Sequence, residues 1–168
     1  LISKYNIKKS DLNFYMPLET KEIKNINLDM YYLGYFLKWD PQEMYYYASE
    51  NTGFTANDER TEGSFSKYSG IDDKMDTLHY FTYLIKFGLG RASYDASQEI
   101  RTGKITREEG IALVNKYDQE IPKRYFKDIL DYLDIDEDKF WQIIDKNRPN
   151  HLWKRENNEW ILKYPVKN

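Results

Sequence analysis

A mainly α-helical domain that ends in a small β-hairpin is what this sequence predicts, on three observations. The apolar residues are of the wrong kind for a large sheet: 16 Tyr and eight Phe are present, but only two Val, at 114 and 166. One stretch, Asp72 to Phe87, repeats its apolar residues Met75, Leu78, Phe81 and Ile85 at helical spacing. Asp40, Thr106 and Asp136 each stand as a cap immediately before such a stretch.

Residues 1–25 are Lys- and Asn-rich and interrupted by Pro17, which predicts irregular chain. Asn27 to Trp39 is a dense aromatic and aliphatic run that periodicity alone allows as a buried strand or a buried helix; its first half is read as a strand because Tyr31, Tyr32 and Leu33 suit one. Asp40-Pro41-Gln42-Glu43 then orders a cap, a proline at the first helical position and a capping-box Glu. That helix is expected to reach Glu50 and stop before Gly53. Asn51 to Gly70 reads as a long ordered loop, and Asp72–Phe87 as the strongest helix, ended by Gly88 and Gly90. A short helix follows over Tyr94–Thr102 and closes on Gly103. Thr106-Arg107-Glu108-Glu109 is a second capping box, opening a helix to Tyr117. Pro122 opens another, with Tyr125, Phe126, Ile129, Leu130 and Leu133 on one side. Asp136 caps the last, Glu137–Lys146, with acids at its start and bases at its end as the macrodipole favours. Leu152–Glu156 and Glu159–Tyr164, joined by Asn157-Asn158, read as the hairpin. The division this implies is residues 1–39 as an irregular segment with a terminal strand, and residues 40–168 as a helical domain.

Composition excludes several classes of function. With 25 Lys+Arg against 28 Asp+Glu the chain has no basic field to hold nucleic acid. It has no Cys, so disulfides, thiolate zinc sites and Cys nucleophiles are excluded. No apolar run approaches the roughly 20 residues that span a bilayer, and no secretory signal opens the chain. The chain begins with Leu1 rather than Met, which suggests a piece of a longer protein. Its two histidines, His79 and His151, are too few for a His-rich metal site.

Two constellations point to chemistry. Asp72, Asp76, His79, Tyr83 and Lys86 are spaced four, three, four and three, which on a helix makes one narrow polar stripe. It is either a solvated face or, given the apolar residues flanking it, the wall of a pocket. Beyond it, Lys86-Phe87-Gly88-Leu89-Gly90-Arg91 brings glycines beside cations. Those glycines either turn the chain or let its backbone approach an anion. Asp72-Asp73-Lys74-Met75-Asp76 matches a DDxxD string, but no second metal motif accompanies it. Ser69-Gly70-Ile71-Asp72-Asp73 lacks a glycine and the final serine of an ATP-pyrophosphatase SGGxDS loop. Walker, GxSxG and dinucleotide fingerprints are absent.

Longer strings carry a resemblance. YLGYFLKWD at Tyr32–Asp40, Ile71 followed by DDKMDTLHYFTYLIKFGLGRASYDASQEIRTGKITREEGIALVNKYD, then PKRYFKDILDYLDI and HLWK, resemble in order the C-terminal part of the N-acetyl sugar amidotransferases of bacterial surface-polysaccharide and flagellin-sugar pathways. The resemblance covers about residues 31–163. It implies that the helical region follows the last strand or strands of an α/β adenine-nucleotide-hydrolase-like domain. It also implies a cytoplasmic enzyme that uses ATP with Mg²⁺ to adenylate an acetamide oxygen. Ammonia from a glutaminase partner then displaces AMP and leaves an acetamidino group.

The substrate so implied is an N-acetylated nucleotide sugar or nonulosonate of lipopolysaccharide, O-antigen or flagellin-glycan synthesis. Asp73, Lys74, His79, Lys86, Arg91, Asp95 and Arg101 are the substrate- and anion-binding candidates. Lys86, Arg91 and Arg101 are expected to converge on one anion, so that Arg91→Ala costs activity and little stability. The ATP loop and a cysteine-containing segment of the family, both N-terminal, have no counterpart in these residues. The chain by itself is therefore expected to bind no ATP and to be inactive, relying on an N-terminal ATP-binding domain of the same protein. The competing expectation is a non-catalytic helical interaction module whose stripe docks onto a partner.

Overall fold

The computed structural model describes residues 2–167, and the chain divides into two units, residues 1–39 and 40–168. The first unit holds α1 (Ile2–Tyr5), a 3-10 helix (Lys9–Tyr15), α2 (Thr20–Asn25) and α3 (Leu33–Phe36). A reciprocal box opens α2: the Glu19 N–H donates to Glu22 at 2.9 Å, and Glu19 caps in return. The 3-10 helix, α2 and α3 bury no residue.

The strand expected at Tyr31–Leu33 does not form. Residues 27–32 have no regular structure and Leu33–Phe36 makes a single helical turn. A strand exists only through pairing, and among the described residues of this unit there is none to pair with. The apolar run is consequently open, with Tyr32 83% and Tyr35 82% exposed. Apolar surface of this kind associates. Sedimentation over a concentration series should therefore show self-association of the chain. A concentration-independent monomer whose 31–39 amides resist exchange would refute that.

The second unit carries α4 (Pro41–Asn51), α5 (Asp76–Phe87), α6 (Arg91–Thr102), α7 (Arg107–Tyr117), α8 (Phe126–Leu133), α9 (Glu137–Lys146) and the hairpin β1 (Trp153–Glu156) and β2 (Glu159–Leu162). The caps read from the sequence are in place. Asp40 accepts from the Glu43 N–H at 3.2 Å, Thr106 and Glu109 cap each other, and Asp136 accepts from the Lys139 N–H at 2.7 Å. Gly88 ends α5 in the left-handed region at φ 71°, which glycine, having no Cβ, adopts at least cost. The hairpin is antiparallel, with Trp153 opposite Leu162. Asn157 and Asn158 turn it at φ 49° and 64°, the two positive values a type I′ turn needs.

Three helix starts differ from expectation. α5 begins at Asp76, because the Asp73 carboxylate accepts from the Met75 N–H at 2.7 Å and holds residues 72–75 in a turn. α8 begins at Phe126, because Glu62 takes the N–H groups of Lys123 and Arg124 at 3.1 and 3.2 Å. α6 begins at Arg91, three residues earlier than Tyr94, for a reason given below.

The core joins α5, α9 and the hairpin through Phe81, Leu84, Ile85, Phe140, Ile144, Trp153 and Leu162. The Trp153 indole N–H donates to the Ile85 carbonyl at 2.8 Å, so the hairpin is pinned as well as packed. Arg148 stacks 4.4 Å from the Trp153 ring and closes that side. On the other side α6 and α7 pack tightly. A Cβ at Gly110 would stand 2.7 Å from the Ile100 Cδ1, so a larger residue in α7 forces Ile100 to move.

Candidate functional site

The polar centre of the second unit is built on the loop before α5. Ser64, Ser66 and Ser69, all buried, hydrogen-bond to one another along the loop: the Ser66 N–H donates to Ser64 Oγ at 3.0 Å and Ser69 Oγ to Ser66 Oγ at 3.3 Å. Thr61 Oγ1 donates to the Ser69 carbonyl at 2.5 Å. The loop is also bolted outward. Arg60 forms a two-pronged pair with Glu120 and donates to the Ser64 carbonyl at 3.0 Å, while the Gly63 N–H reaches Glu120 at 2.9 Å. What the sequence marks as a long polar loop is thus a fixed platform.

Arg91, the first residue of α6, lies against this platform. Its Nε donates to Asp95 at 2.8 Å, one Nη to the Tyr80 hydroxyl at 3.3 Å and the other to Ser69 Oγ at 3.1 Å. Ser64 Oγ donates to the second Asp95 oxygen at 2.7 Å. The guanidinium also lies 5.1 and 5.4 Å from the Tyr80 and Tyr94 rings. Burial pushes its pKa down, but Asp95 and the two tyrosines outweigh this and the net shift is upward. Nearby Asp76 is held above the usual carboxylate range by burial first and by Asp72 and Asp73 second. The arrangement is a neutralised ion pair on an aromatic floor.

The N-terminus of α6 is filled from within the protein. Asp118, buried at the end of α7, accepts from the Gly90 N–H at 2.8 Å, the Ser93 N–H at 2.9 Å and the Ser93 hydroxyl at 2.8 Å. This remote carboxylate caps the helix and lets it start at Arg91. Gly90 is required by the same contact, since a Cβ there would stand 2.9 Å from the Asp118 carbonyl oxygen. The glycines beside the cations therefore shape the chain: Gly88 packs against Leu152 and Leu162, and the anion that Gly90 approaches is Asp118.

Two cavities adjoin along α5 and α6. The smaller, about 190 Å³, is lined by His79, Tyr80, Tyr83, Gly90, Arg91 and Tyr94. It presents three aromatic rings, an imidazole and a guanidinium whose charge is already matched. Such a site suits a neutral polyhydroxyl or amide group better than a bare anion. The larger, about 350 Å³, lies between α6 and α7 and has Arg101 in its wall.

Of the candidates read from the sequence, the structure joins His79, Arg91 and Asp95 at or beside the smaller cavity. Asp73 caps its turn, and Lys74 pairs with Asp128 at 2.7 Å; both line a separate cavity of about 240 Å³ by the loop. Lys86 is exposed, 5.3 Å from the Phe87 ring, and Arg101 lines the larger cavity. The expected convergence of Lys86, Arg91 and Arg101 on one anion does not occur. Asp95 claims Arg91, and an outward-facing helix position carries Lys86 away. Asp72 also leaves the polar stripe, since it precedes the helix. Residues that sequence reasoning passed over are Ser64, Ser69, Tyr94, Arg107 and Asp118. The Gly63-Ser64-x-Ser66-x-x-Ser69-Gly70 spacing, small hydroxyl residues between two glycines, is the signal that could have singled out these serines within the loop.

A family model described as the LPS biosynthesis protein WbpG-like, C-terminal domain, matches residues 62–166. That span begins at the serine loop and takes in both cavities and the hairpin. No curated protein matches the chain.

Proposed function

This chain belongs to the family of WbpG-like C-terminal domains of LPS biosynthesis proteins, and on that premise we propose that it is the sugar-holding end of an N-acetyl sugar amidotransferase. The reading places it in lipopolysaccharide biosynthesis, where an acetamido group becomes acetamidino. The observation that carries it is the small cavity of His79, Tyr80, Tyr83, Arg91 and Tyr94. Aromatic faces pack the C–H surface of a sugar ring, and His79 supplies a polar edge for a hydroxyl or the acetamide. The Arg91–Asp95 pair holds the Tyr80 and Tyr94 rings in place rather than meeting a charge of its own.

In this reading Mg²⁺-ATP is held outside this chain. Among the described residues no group of three His, Cys, Asp or Glu side chains is placed to hold a metal ion. The α6 N–H groups that a phosphate would take are occupied by Asp118. In this reading acetamide activation belongs to an N-terminal ATP-binding domain of the same protein, and ammonia to a glutaminase partner. The open run Tyr31–Trp39 is where such a domain would dock. The same run favours, as a second reading, a non-catalytic interaction module.

With ATP, Mg²⁺, ammonium and a panel of N-acetyl sugars, the 168-residue chain is expected to release no pyrophosphate above buffer. Joined to its ATP-binding domain it is expected to release it. In an NMR titration of the chain alone, N-acetyl sugars should shift the Tyr83 and Tyr94 ring signals more than the parent sugars lacking the acetamide. Pyrophosphate release by the chain alone, or no shift at either ring, refutes the proposal.

A further inference from the structure

Two surfaces of the second unit complement each other. The first is the groove between α6 and α7, about 350 Å³, whose walls include Leu89, Ile100, Ile111 and Val114 and which Arg101 and Arg107 also line. The other arginines of the chain are answered: Arg60 by Glu120, Arg91 by Asp95, Arg124 by Glu59 and Arg148 by Asp145, while Arg155 lies over Trp160. Among the described residues, Arg101 and Arg107 have neither an acid within ion-pair distance nor a ring beneath them.

The second surface is the turn between α8 and α9. Asp134 stands there in the left-handed region at φ 53°, and the Ile135 N–H donates to the Leu130 carbonyl at 3.3 Å, so the turn is ordered. It projects Tyr132, 76% exposed, with Leu133 beside it. Asp131, Asp134 and Asp138 flank these two residues in the chain. Asp128 pairs with Lys74 and Asp136 caps α9, but among the described residues Asp131, Asp134 and Asp138 meet no cation within ion-pair distance.

An apolar groove lined by two unanswered arginines thus faces the same solvent as an apolar knob flanked by three unanswered carboxylates. The groove has room for an aromatic and an aliphatic side chain together. A tyrosine seated in a desolvated pocket supplies most of the energy of such a contact, and the charges around it fix the partner and the register. The knob lies open in its own chain, so a groove that takes it belongs to another copy.

We propose that the α6–α7 groove is a docking site for a second copy of this chain, which inserts Tyr132 and Leu133 and pairs Asp131 and Asp138 with Arg101 and Arg107. The contact joins two different patches, so each copy offers one knob and one groove. The groove shares Tyr83, Gly90 and Tyr94 with the smaller cavity, and a seated knob covers that side of it. The assignment does not rest on the sugar reading.

Photo-cross-linking tests it. The full chain with p-benzoylphenylalanine in place of Tyr132 is irradiated with an isotope-labelled acceptor chain, and the adducts are mapped by mass spectrometry. Adducts are expected on the groove residues Leu89, Ile100 and Ile111 of the acceptor. Arg101→Glu/Arg107→Glu in the acceptor should lower their yield at least about tenfold. Asp131→Lys/Asp138→Lys in the photoreactive chain should restore the yield with that same acceptor, which excludes misfolding as the cause of the loss. All four side chains are exposed, so the variants are expected to melt with the parent chain. Adducts confined to residues 31–39 or to the photoreactive chain itself, or a groove yield indifferent to both charge reversals, overturn the proposal.

Discussion

Replacing Asp118 with alanine is expected to lower the melting temperature by about 10 °C, corresponding to about 3 kcal/mol in a chain of this size. One buried carboxylate accepts three hydrogen bonds from Gly90 and Ser93. Alanine leaves those donors without a partner at the first turn of α6, and a lost cap alone costs about 1 kcal/mol. Asp118→Asn retains one acceptor oxygen but turns an N–H₂ group toward the remaining donors, so an intermediate loss is expected. Thermal melts by circular dichroism give the comparison. Hydrogen exchange should show the loss concentrated in residues 90–94, because these are the amides the carboxylate holds. A melting temperature unchanged by Asp118→Ala would mean that α6 is capped by solvent instead.

Arg91→Ala is expected to weaken N-acetyl sugar binding at least about tenfold and also to destabilise the fold, by about 2 kcal/mol. The stability cost is the part that sequence reasoning did not anticipate. Three bonds, to Asp95, Tyr80 and Ser69, end at this guanidinium, and its removal leaves Asp95 with only the Ser64 hydroxyl. The pair is partly exposed, at 30% and 13% of side-chain surface, so solvent screens it and the loss is smaller than for a fully buried ion pair. Arg91→Lys retains the charge and loses the fork, so it should keep most of the stability and less of the binding. A double-mutant cycle with Asp95→Ala separates the two effects. Additive losses of stability would show that Arg91 and Asp95 are not coupled.

Local signals were enough wherever the structure is made by neighbours in the chain. The Asp40, Thr106 and Asp136 caps bind N–H groups three residues on. Asn157-Asn158 turns the hairpin by its own backbone preference. The apolar repeat of Asp72–Phe87 correctly identified the helix that faces the core, although Asp73 delays its start. His79 and Arg91 could be named as candidates because one falls on that helix and the other follows its glycine stop, and both line the smaller cavity.

Apart from the late start of α5, which the neighbouring Asp73 sets, the departures from expectation trace to partners far away along the chain, present or missing. α6 starts early because Asp118 caps it from 25 and 28 positions away. The approach to α8 is held by Glu62, some 60 residues upstream. Tyr31–Leu33 has strand chemistry but no strand to pair with among the described residues of its unit. Which arginines are free to meet a ligand follows from the same cause, since the identity of a residue does not say whether an acid will fold against it.

Composition, caps and periodicity determined that this chain is helical, where most of its helices lie and that it ends in a hairpin. Those features depend on interactions within about four residues, whose geometry is the same wherever the segment occurs. Tertiary structure alone decided that Arg91 is matched by Asp95 while Arg101 lines a different cavity, and that Asp118 occupies the anion position at α6. Pairing of charges across a fold depends on which surfaces are brought together, and charge decays with a distance that sequence separation does not measure.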